Sequence, residues 1–328
     1  MAAVNLFTLE GSEPAMAADS NLFSIPASLT DRYRVEEERI APTASIPENL
    51  PALGEMTFYI PPYTDALLAL PELAFELELS IQKRKLNSTI WEPLNELDKV
   101  ASVNLIAHSI FSSVQVSLCN RLVSDCATNY PYRAMFEVLT TYSEGALRTA
   151  LTSSGFYFDT PGSMDTYANN KGEAARHKLF TENKWVQLSG KIYSDVTSQE
   201  KNLVTGVPVH IRFQLNKPEF YLRNFSDVAL INLDATTEYR AFLRNPRLLI
   251  KRYVGTPDFM NSLAKHLLTT TAKYHLEKQL LRVNDIPLGT TGTQLPNIHM
   301  GQVSIARLIL QLNLVHLNRV VYFRFQKC

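Results

Sequence analysis

The sequence predicts an all-β fold with helical insertions, a sandwich or jelly roll laid out in two successive units. Three observations lead there. The stretch LAFELELSI, residues 73–81, alternates without a break: Leu73, Phe75, Leu77, Leu79 and Ile81 on one face, Glu76 and Glu78 on the other. Seven or eight such short runs recur between residues 56 and 216, separated by turn-forming residues. Helical periodicity is confined to a few isolated stretches, so the strand–helix alternation of a parallel sheet is missing.

Residues 1–53 read as an N-terminal arm, partly disordered: apolar residues are scattered without period, and Glu36-Glu37-Glu38 and several prolines interrupt them. MTFYIPP, from Met56, is a strand stopped by Pro61-Pro62. Lys83-Arg84-Lys85 follows the 73–81 strand and reads as a solvated strand end rather than a nucleic-acid contact. In NLIAHSIFSSVQVSLCNRLV, residues 104–123, Ile110, Val114, Val116 and Leu118 fall on alternate positions, and His108 stands just before them. PYRAMFEVLTTY, residues 131–142, changes to a helical period, with Pro131 in the first turn and Met135, Leu139 and Tyr142 in phase. SEGALRTAL adds a second short helix. Strands resume at GFYF (155–158), NKWVQLSGKIY (183–193) and VPVHIRFQL (207–215).

A second series starts near residue 238. EYRAFLRNPRLLIKRYV is strand material. Thr256-Pro257-Asp258 opens a helix, with Thr as cap, Pro in the first position and Asp near the positive end. Met260, Leu263, Ala264 and Leu267 follow at helical spacing. KYHLEKQLLRVNDIPL, VSIARLILQLN and RVVYFRF are further apolar runs, the last reaching Cys328. The expected division is an arm over 1–53, a complete first unit over 54–225 and a partial second unit over 226–328. The second holds four or five strands where a sandwich of this kind needs about eight.

Composition narrows the function classes. Lys plus Arg number 32, equal to Asp plus Glu, so the net charge is zero and the basic excess of a nucleic-acid-gripping protein is absent. Specific nucleic-acid binding is therefore not expected. Cys119, Cys126 and Cys328 are too few and too oddly spaced for a disulfide framework or zinc site. No run approaches a membrane-spanning helix, and the first twenty residues lack a secretory pattern, so secretion and use of the sequons at Asn87 and Asn224 are not expected.

Chemistry is sparse. No two of the seven histidines (108, 177, 210, 266, 275, 299 and 316) stand within five residues of each other, unlike the paired imidazoles of a jelly-roll metalloenzyme. His108 reads as a structural residue. Asp159-Thr160-Pro161-Gly162, with Asp165 beyond it, reads as a turn. Gly289-Thr290-Thr291-Gly292-Thr293 lacks the Lys-Ser/Thr of a phosphate loop and reads as a connection. No nucleophile elbow or His-Glu-x-x-His is present. No catalytic, cofactor-binding or metal-binding residue is expected, and the chain does not read as an enzyme. Tyr157, Tyr167 and Trp185 are the aromatics that a carbohydrate- or ligand-binding sandwich would use.

Three separated blocks, in order, carry a resemblance. His108-Ser109, Phe111 to Val116 and Asn120 match an HS-F-SQVDV-LN strand. Tyr130, Tyr132-Arg133, Phe136-Glu137, Leu139 and Tyr142 match a Y-YR-Y-E-LL-Y helix. Asp159 to Met164 match a D-PG-M turn. Together they resemble the first jelly roll of the double jelly-roll major capsid proteins of Maverick/Polinton elements and adintoviruses, whose relatives occur in invertebrate genomes. RAFLRNPRLLIKRYVGTPDFMNSLAKHLLTTTAKYHLEKQLLRVNDIP resembles the start of that family's second jelly roll. The likeness covers most of residues 56–312, and the chain departs from the family at HLNRVVYFRFQKC, as a C-terminally truncated member would.

The resemblance implies a double jelly roll and a structural role as a capsid protein. Each chain would place two sandwiches side by side, and three chains would form a pseudo-hexagonal capsomer. Partners would be further copies of the chain and penton or minor capsid proteins, with no small-molecule substrate and no cofactor. Its place would be the virion, or the cytoplasm or nucleus if the element is not intact. The competing expectations are a degenerate or host-domesticated copy that does not assemble, and a ligand- or carbohydrate-binding sandwich.

Overall fold

The computed structural model describes residues 32–44, 46, 54–126, 129–164, 166–167, 169–182, 185–225, 237–286, 306–314 and 317–327. The first part of the expected arm, Asp165, the 289–293 loop, His299, His316 and Cys328 lie outside the described residues. The molecule is mostly β-sheet with few helices. In chain order the strands are β1 (Arg32–Ile40), β2 (Glu55–Ile60), β3 (Ala66–Leu68), β4 (Ala74–Lys85), β5 (Glu92–Pro93), β6 (Val100–Ser102), β7 (Phe111–Leu118), β8 (Arg121–Cys126), β9 (Val186–Lys191), β10 (Val209–Leu215), β11 (Leu222–Asn224), β12 (Thr237–Gly255), β13 (Glu277–Ile286), β14 (Ala306–Leu314) and β15 (Leu317–Lys327). The helices are α1 (Ile106–Ser109), α2 (Tyr130–Thr141), α3 (Glu144–Arg148), α4 (Lys171–Glu182), α5 (Pro218–Tyr221) and α6 (Pro257–Thr269).

Two sheets form the main body. One runs β1-β12-β4-β5, with β3 also on β12 and β9 also on β4; the other runs β2-β10-β7-β8. The antiparallel pairings nest: β2 pairs with β10, and inside that β4 pairs with β9, with the chain changing sheet between β2 and β3, between β8 and β9 and between β9 and β10. That nesting is the roll-up of a jelly roll. The inner faces meet in one continuous core. Leu77, Leu79 and Ile81 of β4 are at most 1% exposed, as are Val114 and Val116 of β7 and Ile211 and Phe213 of β10. Phe75 joins the sheets, its ring 5.5 Å from Phe111 and 5.9 Å from Phe213, near edge-on to both.

Four features change or extend the sequence reading. The alternation from Ile110 does not hold, because the β7–β10 register shifts between Gln214 and Leu215; Phe111 and Val114 then both point inward across a bulge. Ile110 instead closes α1, whose first residue follows Leu105 in the left-handed region (φ 58°). GFYF is not a strand: Gly155 sits at φ 76° at the end of a 3-10 turn, and its carbonyl accepts the Leu105 N–H. The helix α4 has no apolar stripe to announce it, because the face it buries carries Glu173, Arg176 and His177.

The fourth change concerns the 225/226 boundary. Thr237–Gly255, expected in the second unit, is a single 19-residue strand in the sheet of the first. Its Leu243, Leu248 and Ile250 complete the core opposite β7 and β10, so the sandwich is not closed without it. Asn245, at φ 48°, and Pro246 form a bulge that shifts the β4 register between Arg244 and Arg247, which lets a proline sit inside a long strand. Residues 32–40 of the expected arm likewise form an edge strand along β12. After α6 the chain builds a separate three-stranded antiparallel sheet, ordered β13-β15-β14.

Candidate functional site

Three of the residues that the sequence singles out, His108, Arg133 and Asp159, lie in three buried polar knots around the helical insertion between β8 and β9. The first is His108. The single turn α1 carries it into the core, fully buried. Its Nδ1 lies 3.1 Å from the Tyr130 hydroxyl. The Phe75 ring meets it edge-on at 5.3 Å, and Tyr193 lies at 5.2 Å. Gly190 of β9 backs the ring. Burial drives the imidazole pKa down to about 3, so it is neutral at ordinary pH. A general base must reach a substrate proton; this one is sealed among aromatic rings, so its chemistry is packing and one hydrogen bond.

The second knot is a buried ion pair. Arg133 of α2 donates from Nη1 to Asp195 Oδ1 at 2.6 Å, both side chains under 10% exposed. The Asp195 N–H donates to Ser124 Oγ of β8 at 3.0 Å, and the Gln279 N–H of β13 donates to Asp195 Oδ1 at 3.3 Å. The Gln279 side chain in turn donates to Glu137 of α2. Asp195, in the loop after β9, thus ties α2 to the first strand of the three-stranded sheet through its carboxylate and holds β8 through its backbone N–H. Beside it Tyr193 donates to the Tyr142 hydroxyl, and burial raises the Tyr193 pKa.

The third knot surrounds Arg176 of α4, 2% exposed. Its guanidinium donates to Ser102 O (3.0 Å), Tyr157 O (3.2 Å), Asp159 Oδ1 (2.7 Å) and Glu173 Oε2 (2.9 Å). Glu173 is wholly buried; desolvation raises its pKa against the opposing pull of Arg176 and then Arg223. Asn170 donates to Asp159 Oδ1 and accepts from the N–H groups of Thr160 and Gly172. A Cβ at Gly172 would lie 2.6 Å from Asp159 Oδ1, so the first turn of α4 carries glycine where it meets the 159–164 turn. The 159–164 turn is therefore the latch that holds α4 on β6.

The remaining candidates are scattered. Lys83 pairs with Asp98 at 2.8 Å; Arg84 pairs with Glu238 and stacks over Trp91. Tyr167 packs on His177 and Phe225, whereas Trp185 lies under Arg244 on the far sheet. The expected aromatics do not share these neighbours. A shallow groove beside the β12 bulge, lined by Glu76, Glu78, Gln187, Asn245 and Arg247, is polar, and Glu78 is engaged by Arg244 and Asn245. Among the described residues no three His, Cys, Asp or Glu side chains converge as a metal site would require. No helix among them is long and apolar enough to cross a membrane. Sequence reasoning missed Asp195, Glu173 and Arg176, for which no motif exists.

Comparison with known proteins adds the following. No family model matches the chain. An uncharacterized protein of Caenorhabditis elegans is 25% identical over 126 residues, 38% of this chain and 28% of that protein. Among solved structures, the Sputnik virophage structure aligns at TM-score 0.48 and 11% identity, covering 92% of this chain and 60% of that one. The PBCV-1 virus capsid model aligns at 0.46 and 9%, covering 89% and 55%. The mavirus major capsid protein aligns at 0.41 and 12%, covering 93% and 62%. The chain therefore spans less than two thirds of the length of each of these proteins.

Proposed function

We propose that the protein is a non-catalytic, capsid-like structural component that self-associates, in the manner of the Maverick/Polinton and adintovirus capsid proteins that its sequence resembles. In that reading three copies form a pseudo-hexagonal capsomer, penton or minor capsid proteins are its other partners, and the virion is its place. The sheet β13–β15 would be the start of a second jelly roll. The observation that carries the proposal is where the three resembling blocks lie. His108 with the β7 strand, the Tyr130–Tyr142 helix and the Asp159–Met164 turn come from separate stretches of sequence. In the fold the first two pack together, and polar groups of all three are spent on internal bonds: His108 to Tyr130, Arg133 to Asp195, Asp159 to Arg176. Buried polar groups satisfied in this way rigidify the core.

The test is light scattering coupled to size exclusion, followed by negative-stain electron microscopy of the full chain. Trimers or regular larger assemblies are expected. A strictly monomeric, well-folded chain across the micromolar range would overturn the assembly role and leave the non-assembling copy. A saturable thermal shift with a sugar would point instead to a ligand-binding sandwich.

A further inference from the structure

The edge strand β1 is held in an unusual way for a strand of a sandwich. It follows β12 through eight paired positions, from Arg32↔Gly255 to Ile40↔Leu248. Yet none of its described side chains from Arg34 to Ile40 is buried, and Val35 is 49% exposed. What fixes it, beyond the backbone ladder and Ile40 packed partly buried against the core, is charge. Arg252 reaches Glu36 at 3.0 Å and Glu38 at 3.2 Å. Lys251 lies 3.5 Å from Glu37, and Arg39 lies 3.1 Å from Glu76 of β4. Tyr63 donates to Glu38 at 3.0 Å, and Arg252 stacks over the Tyr63 ring. The Lys251–Glu37 and Arg39–Glu76 pairs, with Glu37 77% and Arg39 67% exposed, hold weakly and are screened by salt, whereas Arg252 is only 19% exposed.

β12 does not depend on β1 for its own place. Its Leu248, Ile250 and Val254 are buried in the core, and β4 and β3 pair along its other side. If β1 lifts away, what remains is an ordered strand edge whose backbone groups need partners, with Arg252 deprived of Glu36 and Glu38 while Lys251 stays paired with Glu72 at 2.6 Å. The hinge is short. After Ile40 only Ala41 and Pro42 separate β1 from Thr43, whose N–H is fixed to Thr57 O of β2 in the other sheet. A short connection between two sheets can act as the hinge through which a strand is exchanged between copies.

We infer that Arg32–Ile40 is an exchangeable strand, and that the β12 edge is a receptor for the same acidic strand of a second copy of this chain. The occupant is set by charge and register: the Glu36-Glu37-Glu38 run answers Arg252 and Lys251, and a donated strand remakes every bond that the intramolecular one makes. This rests on the β1–β12 pairing alone and stands or falls separately from the capsid reading.

The experiment mixes full-length chains carrying Glu37→Cys with full-length chains carrying Lys251→Cys, two directly opposed and solvent-facing positions. After mild oxidation the disulfide-linked peptides are mapped by mass spectrometry. A 37–251 link can form in this mixture only between copies. Its yield should rise with concentration and with moderate salt, and fall several-fold when the donor also carries Glu36→Lys and Glu38→Lys. A single chain with both cysteines should close on itself in dilute solution, which confirms fold and register. Absence of the 37–251 link in the mixture, with closure intact in the double variant, overturns exchange. Failure of closure in the double variant overturns the pairing on which it rests, and a link indifferent to the charge reversals overturns the assignment of the occupant.

Discussion

Gly190 lies against the edge of His108: a Cβ placed at residue 190 would stand 2.6 Å from His108 Nε2 and 2.8 Å from Cε1, with Phe75 3.0 Å away. The contact joins β9 to α1 across the core, and both partners are backed by rigid groups. Gly190→Ala should therefore overpack the site. The expected loss is about 1–3 kcal/mol, read as a shifted denaturation midpoint with unchanged slope. An alanine variant as stable as the parent would show that α1 can withdraw from β9.

The same histidine gives a pH dependence. Its folded pKa is pushed down to about 3, well below that of an unfolded histidine. The unfolded chain therefore binds a proton that the folded chain refuses. Its share of stability is intact above the unfolded pKa of about 6.5 and is lost as pH falls toward about 3. His108→Phe keeps the aromatic packing and removes the titration, at the cost of the bond to Tyr130. Between neutral pH and about pH 4, the melting temperature of the parent should fall further than that of His108→Phe. Parallel curves for the two proteins would mean that the imidazole is not sealed in.

Much of this fold was legible in the sequence. Leu73 to Ile81 and Val209 to Phe213 alternate because one face of each strand is core and the other is not, and a period of two survives translation into structure. The Tyr130–Thr141 helix was visible for the corresponding reason. What stayed hidden was held by polar groups or by distant pairing. α4 buries an arginine and a glutamate, which reads as a surface helix until Asp159 and Ser102 are brought to it. β12 reads as part of a later unit because sequence gives proximity along the chain, whereas its partner β4 lies more than 150 residues earlier.

The Arg133–Asp195 pair makes an asymmetric prediction. Removing the carboxylate by Asp195→Ala takes the ion-pair partner from Arg133 in a site only 5% exposed and also frees the Gln279 N–H. A cost of about 3–5 kcal/mol is expected. Removing both charges with Arg133→Met and Asp195→Leu should recover much of that loss, since neither ion is then left desolvated. Limited proteolysis supplies a second readout: Asp195→Ala should speed cleavage in the β13 region more than within β4. Equal losses for the single and double variants would place the cost in shape rather than charge.

Glu173 behaves in the opposite sense to an ordinary ion-paired carboxylate. Burial raises its folded pKa above the unfolded value, outweighing Arg176 and Arg223. The folded chain thus holds its proton more tightly, and this contribution is present below the unfolded pKa and is lost as pH rises through the folded one. Glu173→Gln keeps the shape and cannot ionise. It should flatten the stability profile on the alkaline side of about pH 4.5 while leaving the Asp159–Arg176 bond in place. Arg176→Met removes the cation that Asp159 and Glu173 share and should be the far more damaging change. A steeper alkaline loss in Glu173→Gln than in the parent would reverse the assignment.

Leu77 and Val116 test the sandwich itself, because they lie in different sheets and face the same core. Leu77 is 1% exposed on β4 and Val116 is fully buried on β7. Each is flanked along its strand by residues on the outer face, Glu76 and Glu78 in one case and Gln115 and Ser117 in the other. Leu77→Asp and Val116→Asp each place an unpaired carboxylate among apolar side chains, where no neighbour supplies a donor. Changes of that kind fall in the severe class, above about 4 kcal/mol. Both should yield insoluble or unfolded protein, while Gln115→Asp, one residue away on the outer face, should stay soluble with a nearly unchanged melt. A pattern in which Gln115→Asp fails and Val116→Asp survives would mean that β7 is slipped by one residue, since a single-residue slip exchanges the two faces of the strand.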